Sequence, residues 1–288
     1  MRKLSWYLRI AIIVISVGVG IMAHSFMKSK PVLLATWLWD ASLIQKDPTG
    51  VISCLKDEDI RYLYLYIDRT IPMDQYRSFI RNASNEKIAV FALQGDPGWA
   101  MAEGRKKSDE LKEWLIHYRR DVKEEEQFAG IHLDVEPYLL PDWKTNQTQI
   151  VVAYQSLIEG WKKEAMNYQQ GLGLDIPFWY DEIKLPQQTL AEWIMDKADS
   201  TTIMSYRNFI EGPNGILGIT SFEREYAEKK GKKLFLALET EPSHEGDHVS
   251  FDSYQVLKDT TDKLWEKGYG VKGISIHHYS SLMKLKKK

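Results

Sequence analysis

One short segment of the sequence alternates ionisable and aliphatic side chains. In "GIHLDVEP", His132, Asp134 and Glu136 are separated by single aliphatic residues. Successive side chains of a β-strand point to opposite faces, so these three polar groups would share one face of a strand. Burying charged groups costs free energy unless the groups are paired or take part in chemistry. The alternation therefore indicates a functional site.

Asp134 and Glu136 form a candidate acid pair. On one strand, the α-carbons of residues two apart are roughly 6.6–7 Å from each other. Like charges this close cannot both ionise freely, so we expect the pKa of one carboxyl group to rise. A carboxylic acid that stays protonated near neutral pH suits general acid catalysis, and glycosidic cleavage uses two carboxyl groups. A structural ion network, for example with Arg207, is the alternative.

The rest of the chain alternates β-rich runs with amphipathic segments, among them 104–126 and 150–170. The runs occupy 33–40, 61–68, 87–94, 130–137, 171–178, 201–207, 232–241 and 271–279. Strands alternating with helices imply a parallel sheet, and eight such units match a (β/α)8 barrel in size. We therefore predict an α/β fold, a single (β/α)8 TIM barrel over residues 31–288. An open doubly wound sheet is the alternative, but no glycine-rich phosphate loop follows the first run.

The two faces of the runs support the barrel. Outward positions, which would pack on the helices, are aliphatic: Leu63, Leu65, Ile67, Ile131, Leu133, Val135, Leu172, Leu174, Ile176, Leu234, Leu236, Leu238, Ile274 and Ile276. Inward faces end in polar residues from six strands: Asp68, His132, Asp134, Glu136, Asp175, Tyr206, Glu239 and His277. Catalytic groups of such barrels lie at the C-terminal ends of several strands, so we expect these side chains to meet at one mouth.

The segment "GIHLDVE" resembles the fourth-strand motif of glycoside hydrolase family 18, the chitinases and related endo-N-acetylglucosaminidases. The family pattern is D-x-x-D-x-D-x-E, with the glutamate as the acid. Asp134 and Glu136 occupy its last two positions, while Ala129 and His132 stand where the family has its first two acids. The resemblance implies a barrel glycosidase whose acid is Glu136.

A second segment, "IMSYRN", is similar to the sixth-strand M-x-Y-D of the same family. Met204 and Tyr206 match, and Arg207 replaces the aspartate. The tryptophan that the family usually carries on strand eight is absent, with "IHHY" in its place. The resemblance implies that Asp134 orients the substrate's acetamido group, that the acetamido oxygen is the nucleophile, and that Tyr206 hydrogen-bonds it.

Two other interpretations stay open. "VEPY" and "LALETEP" are similar to barrel glycosidases with the acid/base on strand four and a nucleophile on strand seven. Glu239 would then attack the sugar directly, although Val135 stands where an asparagine usually precedes the acid. The other interpretation is a non-catalytic polysaccharide-binding barrel. Lectin-like members of family 18 typically lose the glutamate, so the presence of Glu136 favours an enzyme.

Ten tryptophans include several that follow strands, where a flat ring can stack on a sugar. The predicted substrate-binding residues are His132, Asp68, Asp175, Trp37, Trp39, Trp99, Trp143, Trp179, Arg207 and His277. A metal site could also be built from His132, Asp134, His277 and His278, or from "HEGDH" at 244–248. The spacing of these residues is weak evidence for a metal, and we predict neither a metal nor a cofactor.

The N-terminus predicts a signal peptide or signal anchor over residues 1–30. Arg2, Lys3 and Arg9 precede the uncharged apolar run 10–23, with the basic residues on the cytoplasmic side. We expect the barrel to lie outside the membrane, anchored or secreted. The single Cys54 excludes an intramolecular disulfide.

Charge and composition narrow the partners. A net charge of -2 with 27% charged residues is an ordinary globular balance without a nucleic-acid footprint. We predict a monomeric hydrolase of an extracellular or cell-envelope polysaccharide that contains N-acetylhexosamine, with membrane contact through its N-terminal segment only.

Overall fold

Eight parallel strands close into a barrel in which each strand pairs with the next along the chain and the last pairs with the first. The computed structural model describes residues 32–120, 122–243, 246 and 248–288. The strands are β1 (Leu34–Leu38), β2 (Ile60–Tyr66), β3 (Ala89–Gln94), β4 (Gly130–Leu133), β5 (Gly171–Pro177), β6 (Ser200–Met204), β7 (Leu234–Glu239) and β8 (Val271–His277). The predicted barrel is confirmed.

Helices connect successive strands. They are α1 (Leu43–Lys46), α2 (Pro48–Asp57), α3 (Met73–Asn85), α4 (Ala102–Arg119), α5 (Trp143–Asn167), α6 (Leu190–Lys197), α7 (Ile216–Ile219), α8 (Ser221–Lys230), α9 (Tyr254–Lys267) and α10 (Tyr279–Lys286). Short 3₁₀ turns occupy Pro97–Ala100, Glu124–Glu126, Pro137–Leu139 and Phe178–Glu182. The helix predicted over 104–126 ends early, at Arg119.

The outward face of the barrel is aliphatic, as the alternation predicts. The outward residues of the second, fourth, fifth, seventh and eighth strands are buried and belong to one hydrophobic cluster with the helices. Fully burying one such side chain contributes about 1.5–3 kcal/mol to folding. This packing fixes the register of each strand, because a slip of one residue would turn its polar face outward.

Aromatic rings fill much of the barrel interior, where branched aliphatic residues are commoner. A separate cluster of buried residues there comprises Ala35, Trp37, Tyr64, Leu93, Phe235 and Ala237. Tyr64 meets the Trp37 ring edge-on with centroids 5.1 Å apart. The rings support the polar groups above them at the mouth.

The predicted N-terminal signal or anchor, residues 1–30, lies outside the described residues. Val32–Lys288 form one compact unit. Within the part of the chain that the structure describes, no helix is both long and apolar enough to span a membrane.

Candidate active site

The acid pair directly follows β4. The strand itself ends at Leu133, four residues earlier than the predicted run 130–137, so Asp134 and Glu136 stand just beyond it. The backbone N–H of Asp134 still donates to the Gln94 carbonyl at 3.0 Å, which keeps the chain aligned with β3. A Cβ at Gly95 would lie 1.6 Å from the Asp134 carbonyl oxygen. Only glycine permits this approach, which fixes where the acid pair begins.

Glu136 is held by a tyrosine that was not among the predicted site residues. The Tyr138 hydroxyl donates to Oε2 of Glu136 from the 3₁₀ turn that begins at Pro137. Burial raises the pKa of Glu136, the Tyr138 hydrogen bond lowers it, and the Asp175 charge raises it further. The net direction is upward, as an acid that must donate a proton requires. The only signal for Tyr138 was its position two residues after the acid.

Asp134 also favours its protonated form. Burial raises its pKa well above the ordinary value, and the charges of Asp175 and then Glu136 add to the effect. The predicted rise is therefore present, but desolvation contributes more than repulsion within the pair. The Oδ1 atom of Asp134 is enclosed without a hydrogen-bond partner.

His132 pairs with Asp175 rather than with Asp134. Its Nε2 lies 2.7 Å from Oδ1 of Asp175, and both side chains are 1% exposed. Trp37 Nε1 donates to the other Asp175 oxygen at 2.9 Å. The imidazole stacks on Tyr64 with ring centroids 3.6 Å apart. A Cβ at Gly173 would lie 2.5 Å from His132 Nδ1, so glycine makes room for the imidazole.

A second cluster forms around Glu239, at the end of β7. Trp39 Nε1 donates to Nε2 of His277 at 3.2 Å, so that nitrogen is unprotonated. The other ring nitrogen, Nδ1, then donates to Oε2 of Glu239 at 2.9 Å. The backbone N–H of Glu241 donates to the other oxygen at 2.7 Å. Glu239 is thus an oriented acceptor in this geometry.

Tyr206 lies between the two clusters. Burial raises its pKa well above the ordinary value, and nearby carboxyl groups add to the shift: Glu239, Asp134, Asp175 and Glu136. Its ring centroid is 5.8 Å from that of His277. The phenol therefore stays protonated and can donate a hydrogen bond into the mouth.

Two more tyrosines missed from sequence line the same region. Burial and neighbouring carboxyl groups raise the pKa of both Tyr154, on α5, and Tyr180, in the turn after β5. The Tyr180 hydroxyl is buried without a hydrogen-bond partner. Tyr180 belongs to the segment "FWYDE", and aromatic clustering after a strand was the available signal.

Three of the five candidate tryptophans are not sugar platforms. Trp99, at 2% exposed, stacks on Trp161, and Trp143, at 8% exposed, packs in the same outer core. Trp37 is enclosed inside the barrel at 1% exposed. Their positions in the sequence suggested accessible rings. In the structure, however, Trp99 and Trp143 are buried in the outer core and Trp37 is buried inside the barrel.

Trp39 and Trp179 are half-buried and remain candidates for substrate contact. Trp39 stands beside His277 at the mouth. Trp179 meets the Tyr138 ring edge-on with centroids 5.2 Å apart. Its other side lines a groove of about 670 Å³ between α5 and the segment 182–186.

Asp68 and Arg207 stand apart from the carboxyl cluster. The Asp68 carboxylate accepts from the backbone N–H and the hydroxyl of Thr70, a local turn that lowers its pKa. Arg207 donates to the Tyr206 carbonyl and to Asn214, with its guanidinium over the Phe178 ring. The alternative ion network between Arg207 and the acid pair is thus not what holds these acids.

Metal ligation was the weakest alternative from sequence. Among the described residues, no group of three or more His, Cys, Asp and Glu side chains is arranged to hold a metal ion. Part of "HEGDH" lies outside the described residues.

Comparison with known proteins gives similarity in fold alone. No protein-family model and no curated protein matches this chain. A xylanase–α-amylase inhibitor protein solved with trehalose has a TM-score of 0.55 at 13% identity, over 89% of this chain and 96% of that one. A class V chitinase from Pseudomonas fluorescens has a TM-score of 0.55 at 12% identity, over 89% and 99%. A family 18 chitinase from Cycas revoluta in complex with (GlcNAc)3 has a TM-score of 0.51 at 13% identity, over 88% and 96%.

These similarities confirm the family 18 resemblance at the level of the barrel. The set includes an inhibitor protein as well as chitinases, so the fold by itself does not decide between catalysis and binding. That decision depends on the residues at the mouth.

Proposed function

We propose that this protein is a glycoside hydrolase that cleaves a glycan containing N-acetylhexosamine, with Glu136 as its general acid. The observation that carries the proposal is the pair of carboxyl groups just beyond β4, both with a raised pKa. The chitinases with this fold, one of them bound to (GlcNAc)3, support the same substrate class.

In the proposed first step, Glu136 gives its proton to the glycosidic oxygen as the bond from that oxygen to the anomeric carbon breaks. The acetamido oxygen of the same sugar forms the new bond to that carbon. Asp134, whose Oδ1 has no hydrogen-bond partner, holds the acetamido N–H, and Tyr206 donates to the acetamido oxygen. Water then attacks the anomeric carbon as the bond from that carbon to the acetamido oxygen breaks, and the water gives a proton back to Glu136.

Direct attack by Glu239 is the second candidate, favoured by the position of that carboxylate in the same mouth. Both of its oxygens accept hydrogen bonds, from His277 and from the Glu241 backbone. Such bonds orient a carboxylate but also weaken it as a nucleophile. For this reason we favour the acetamido oxygen over Glu239.

We also propose that the barrel works outside the membrane, anchored or exported through residues 1–30. The basic residues followed by an uncharged apolar run support this location. A polysaccharide of the cell envelope or surroundings would be accessible there. Protease treatment of intact cells expressing the full chain tests it: the barrel is digested if it lies outside and survives if it lies inside.

The chemistry is tested by hydrolysis of acetylated and deacetylated hexosamine oligomers by wild type, Glu136→Gln and Glu239→Gln. Cleavage of acetylated oligomers only, lost in Glu136→Gln and retained in Glu239→Gln, is the expected result. Loss in both variants without an acetyl requirement would assign the nucleophile to Glu239. Binding of oligomers without any cleavage would make the protein a polysaccharide-binding barrel.

A further inference from the structure

A groove lies between the first half of α5 and the segment 182–186, which follows β5. Its volume is about 670 Å³, within the range of roughly 300–1,000 Å³ that is usual for ligand pockets. Trp179 lines this groove, and so does Val152, whose surface is 61% exposed. The residues proposed for the chemical step do not line it. The groove is therefore a space that the proposed mechanism does not use.

The α5 wall of the groove is one face of the helix. Gln147, Thr148, Val151, Val152 and Gln155 line it, at the spacing of neighbours on a helix surface. Gln147, Thr148 and Val152 are exposed, Gln155 is half-buried and Val151 is buried. This wall offers two carboxamides and a hydroxyl to a ligand, alongside aliphatic surface.

The opposite wall is held by its own hydrogen bonds. The backbone N–H of Leu185 donates to the Gln188 carbonyl, and that of Leu190 donates to the Ile183 carbonyl, both at 2.8 Å. Ile183 and Leu185 also pack on the outer hydrophobic cluster. Because both walls are fixed, a ligand has little ordering to impose when it binds, which favours affinity.

The Trp179 ring connects the groove to the candidate acid. Three rings hold it edge-on, with centroid distances of 5.0 Å to Tyr180, 5.2 Å to Tyr138 and 6.3 Å to Trp143. The Tyr138 hydroxyl in turn donates to Glu136. A single side chain, Tyr138, thus separates the ring that lines the groove from the carboxyl group proposed to protonate the glycosidic oxygen.

The lining of the groove fits a neutral ligand that is rich in hydroxyl groups. Trp179 and Pro186 give apolar surface on which the flat face of a sugar ring can lie. The ionisable residues in the lining are one acid, Glu182, and one base, Lys184, so their formal charges balance. The Lys184 ammonium donates to the Asp181 carbonyl at 2.9 Å. A strongly acidic or basic ligand would find no excess of opposite charge here.

We propose that this groove is a glycan-binding subsite that holds sugar units of an N-acetylhexosamine polymer beside the mouth, with Trp179 as the stacking ring. The proposal rests on the proposed function for the class of sugar, but its binding test does not require cleavage. A glycan that occupies the groove as well as the mouth gains contacts away from the bond that breaks. The subsite should therefore affect affinity more than the chemical step.

The proposal is tested by the Kd of an N-acetylglucosamine hexamer, measured by calorimetry in the Glu136→Gln background to prevent cleavage. Adding Trp179→Ala should weaken binding by about tenfold or more, as loss of an aromatic anchor does. Adding Val152→Lys places a long hydrated side chain at the groove and should also raise the Kd. Since Val152 is exposed, this second variant should keep its fold. In the wild-type background, Val152→Lys should raise KM with little change in kcat.

Met166→Lys is the matched control, because Met166 is also on α5, is 65% exposed and does not line the groove. Its Kd should equal that of Glu136→Gln alone. An unchanged Kd in Trp179→Ala or in Val152→Lys, or no binding of the hexamer at all, would overturn the subsite. Cleavage of the hexamer by wild type would then leave the proposed function standing. Conversely, binding that depends on both groove residues supports the subsite even if wild type cleaves nothing.

A second copy of this chain is the other occupant that the aliphatic part of the groove would suit. Sedimentation of wild type and of Val152→Lys distinguishes the two. Monomers in both cases support the glycan subsite. A wild-type dimer that dissociates in Val152→Lys would assign the groove to self-association and overturn the proposal.

Discussion

At the scale of the residue, burial controls the pKa of Glu136. Desolvation is the largest cause of its raised pKa, ahead of any neighbouring charge. The same is true of Asp134. Enclosure in the barrel is therefore the main cause of both raised pKa values, and hydrogen bonds and charges change them further.

Replacing Tyr138 by phenylalanine tests the effect of its hydrogen bond on the pKa of Glu136. The Tyr138 hydrogen bond lowers the pKa of Glu136, so Tyr138→Phe should raise this pKa and move the alkaline limb of kcat/KM to higher pH. The pH profile of hydrolysis measures it.

Tyr180→Phe is the control for that experiment. Its ring lies in the same aromatic cluster, 6.3 Å from the Tyr138 ring, but its hydroxyl has no hydrogen-bond partner. The limb should not move in this variant. If the alkaline limb of Tyr138→Phe stays in place or moves to lower pH, the hydrogen bond does not lower the pKa of Glu136.

At the scale of the element, alternation along the chain was enough to predict the strands and their outward faces. One face of a barrel strand packs on the helices, so aliphatic residues recur at every second position and can be recognised in the sequence. The partners at the mouth were not predictable in this way. His132 and Asp175 are 43 positions apart, and only the register of β4 on β5 brings them together.

The tryptophans show the same limit. Trp99 follows a strand, as a sugar platform would, yet Trp161 on α5 covers it. A pattern within one segment cannot reveal which distant helix packs over a loop. Trp179, the candidate on the other side of α5, stays half-buried beside a groove.

The junction between β3 and β4 gives a prediction at this scale. Gly95→Ala would place a Cβ 1.6 Å from the Asp134 carbonyl, so the backbone that carries the acid pair must shift. We expect a loss of about 1–3 kcal/mol in the free energy of unfolding and a fall in kcat. Denaturant unfolding and kinetics measure the two effects.

Gly160→Ala on α5 is the matched control, because the nearest atom to its new Cβ is the flexible Lys112 Nζ at 3.8 Å. Alanine there should stabilise by about 0.5–1 kcal/mol, since glycine is unfavourable within a helix. Equal effects of the two substitutions would mean that Gly95 has no special packing role.

At the scale of the whole molecule, one buried group outside the site links stability to pH. Glu223 on α8 is fully buried, and neither carboxyl oxygen has a hydrogen-bond partner. Burial raises its pKa from 4.5 to about 8. Between pH 4.5 and about 8, Glu223 thus keeps its proton in the folded protein, whereas it has released that proton in the unfolded chain.

Because the pKa of Glu223 is higher in the folded protein than in the unfolded chain, the folded protein loses stability as the pH rises from 4.5 through about 8. Glu223→Gln should therefore have a flatter dependence of Tm on pH in that range and be more stable than wild type at pH near 8. Calorimetric measurement of the Tm of both proteins near pH 4.5 and near pH 8 tests this expectation. Parallel Tm profiles for the two proteins would show that Glu223 titrates normally.

The barrel as a whole is shared with chitinases and with an inhibitor protein, and the proposed function depends on the carboxyl group of Glu136. The most direct measurement is hydrolysis of an N-acetylhexosamine oligomer by wild type and by Glu136→Gln, with the Tm of both recorded. We predict that wild type cleaves the oligomer and that the variant is slower by about 10²–10⁴-fold with an unchanged Tm. A fully active Glu136→Gln would show that Glu136 is not the general acid.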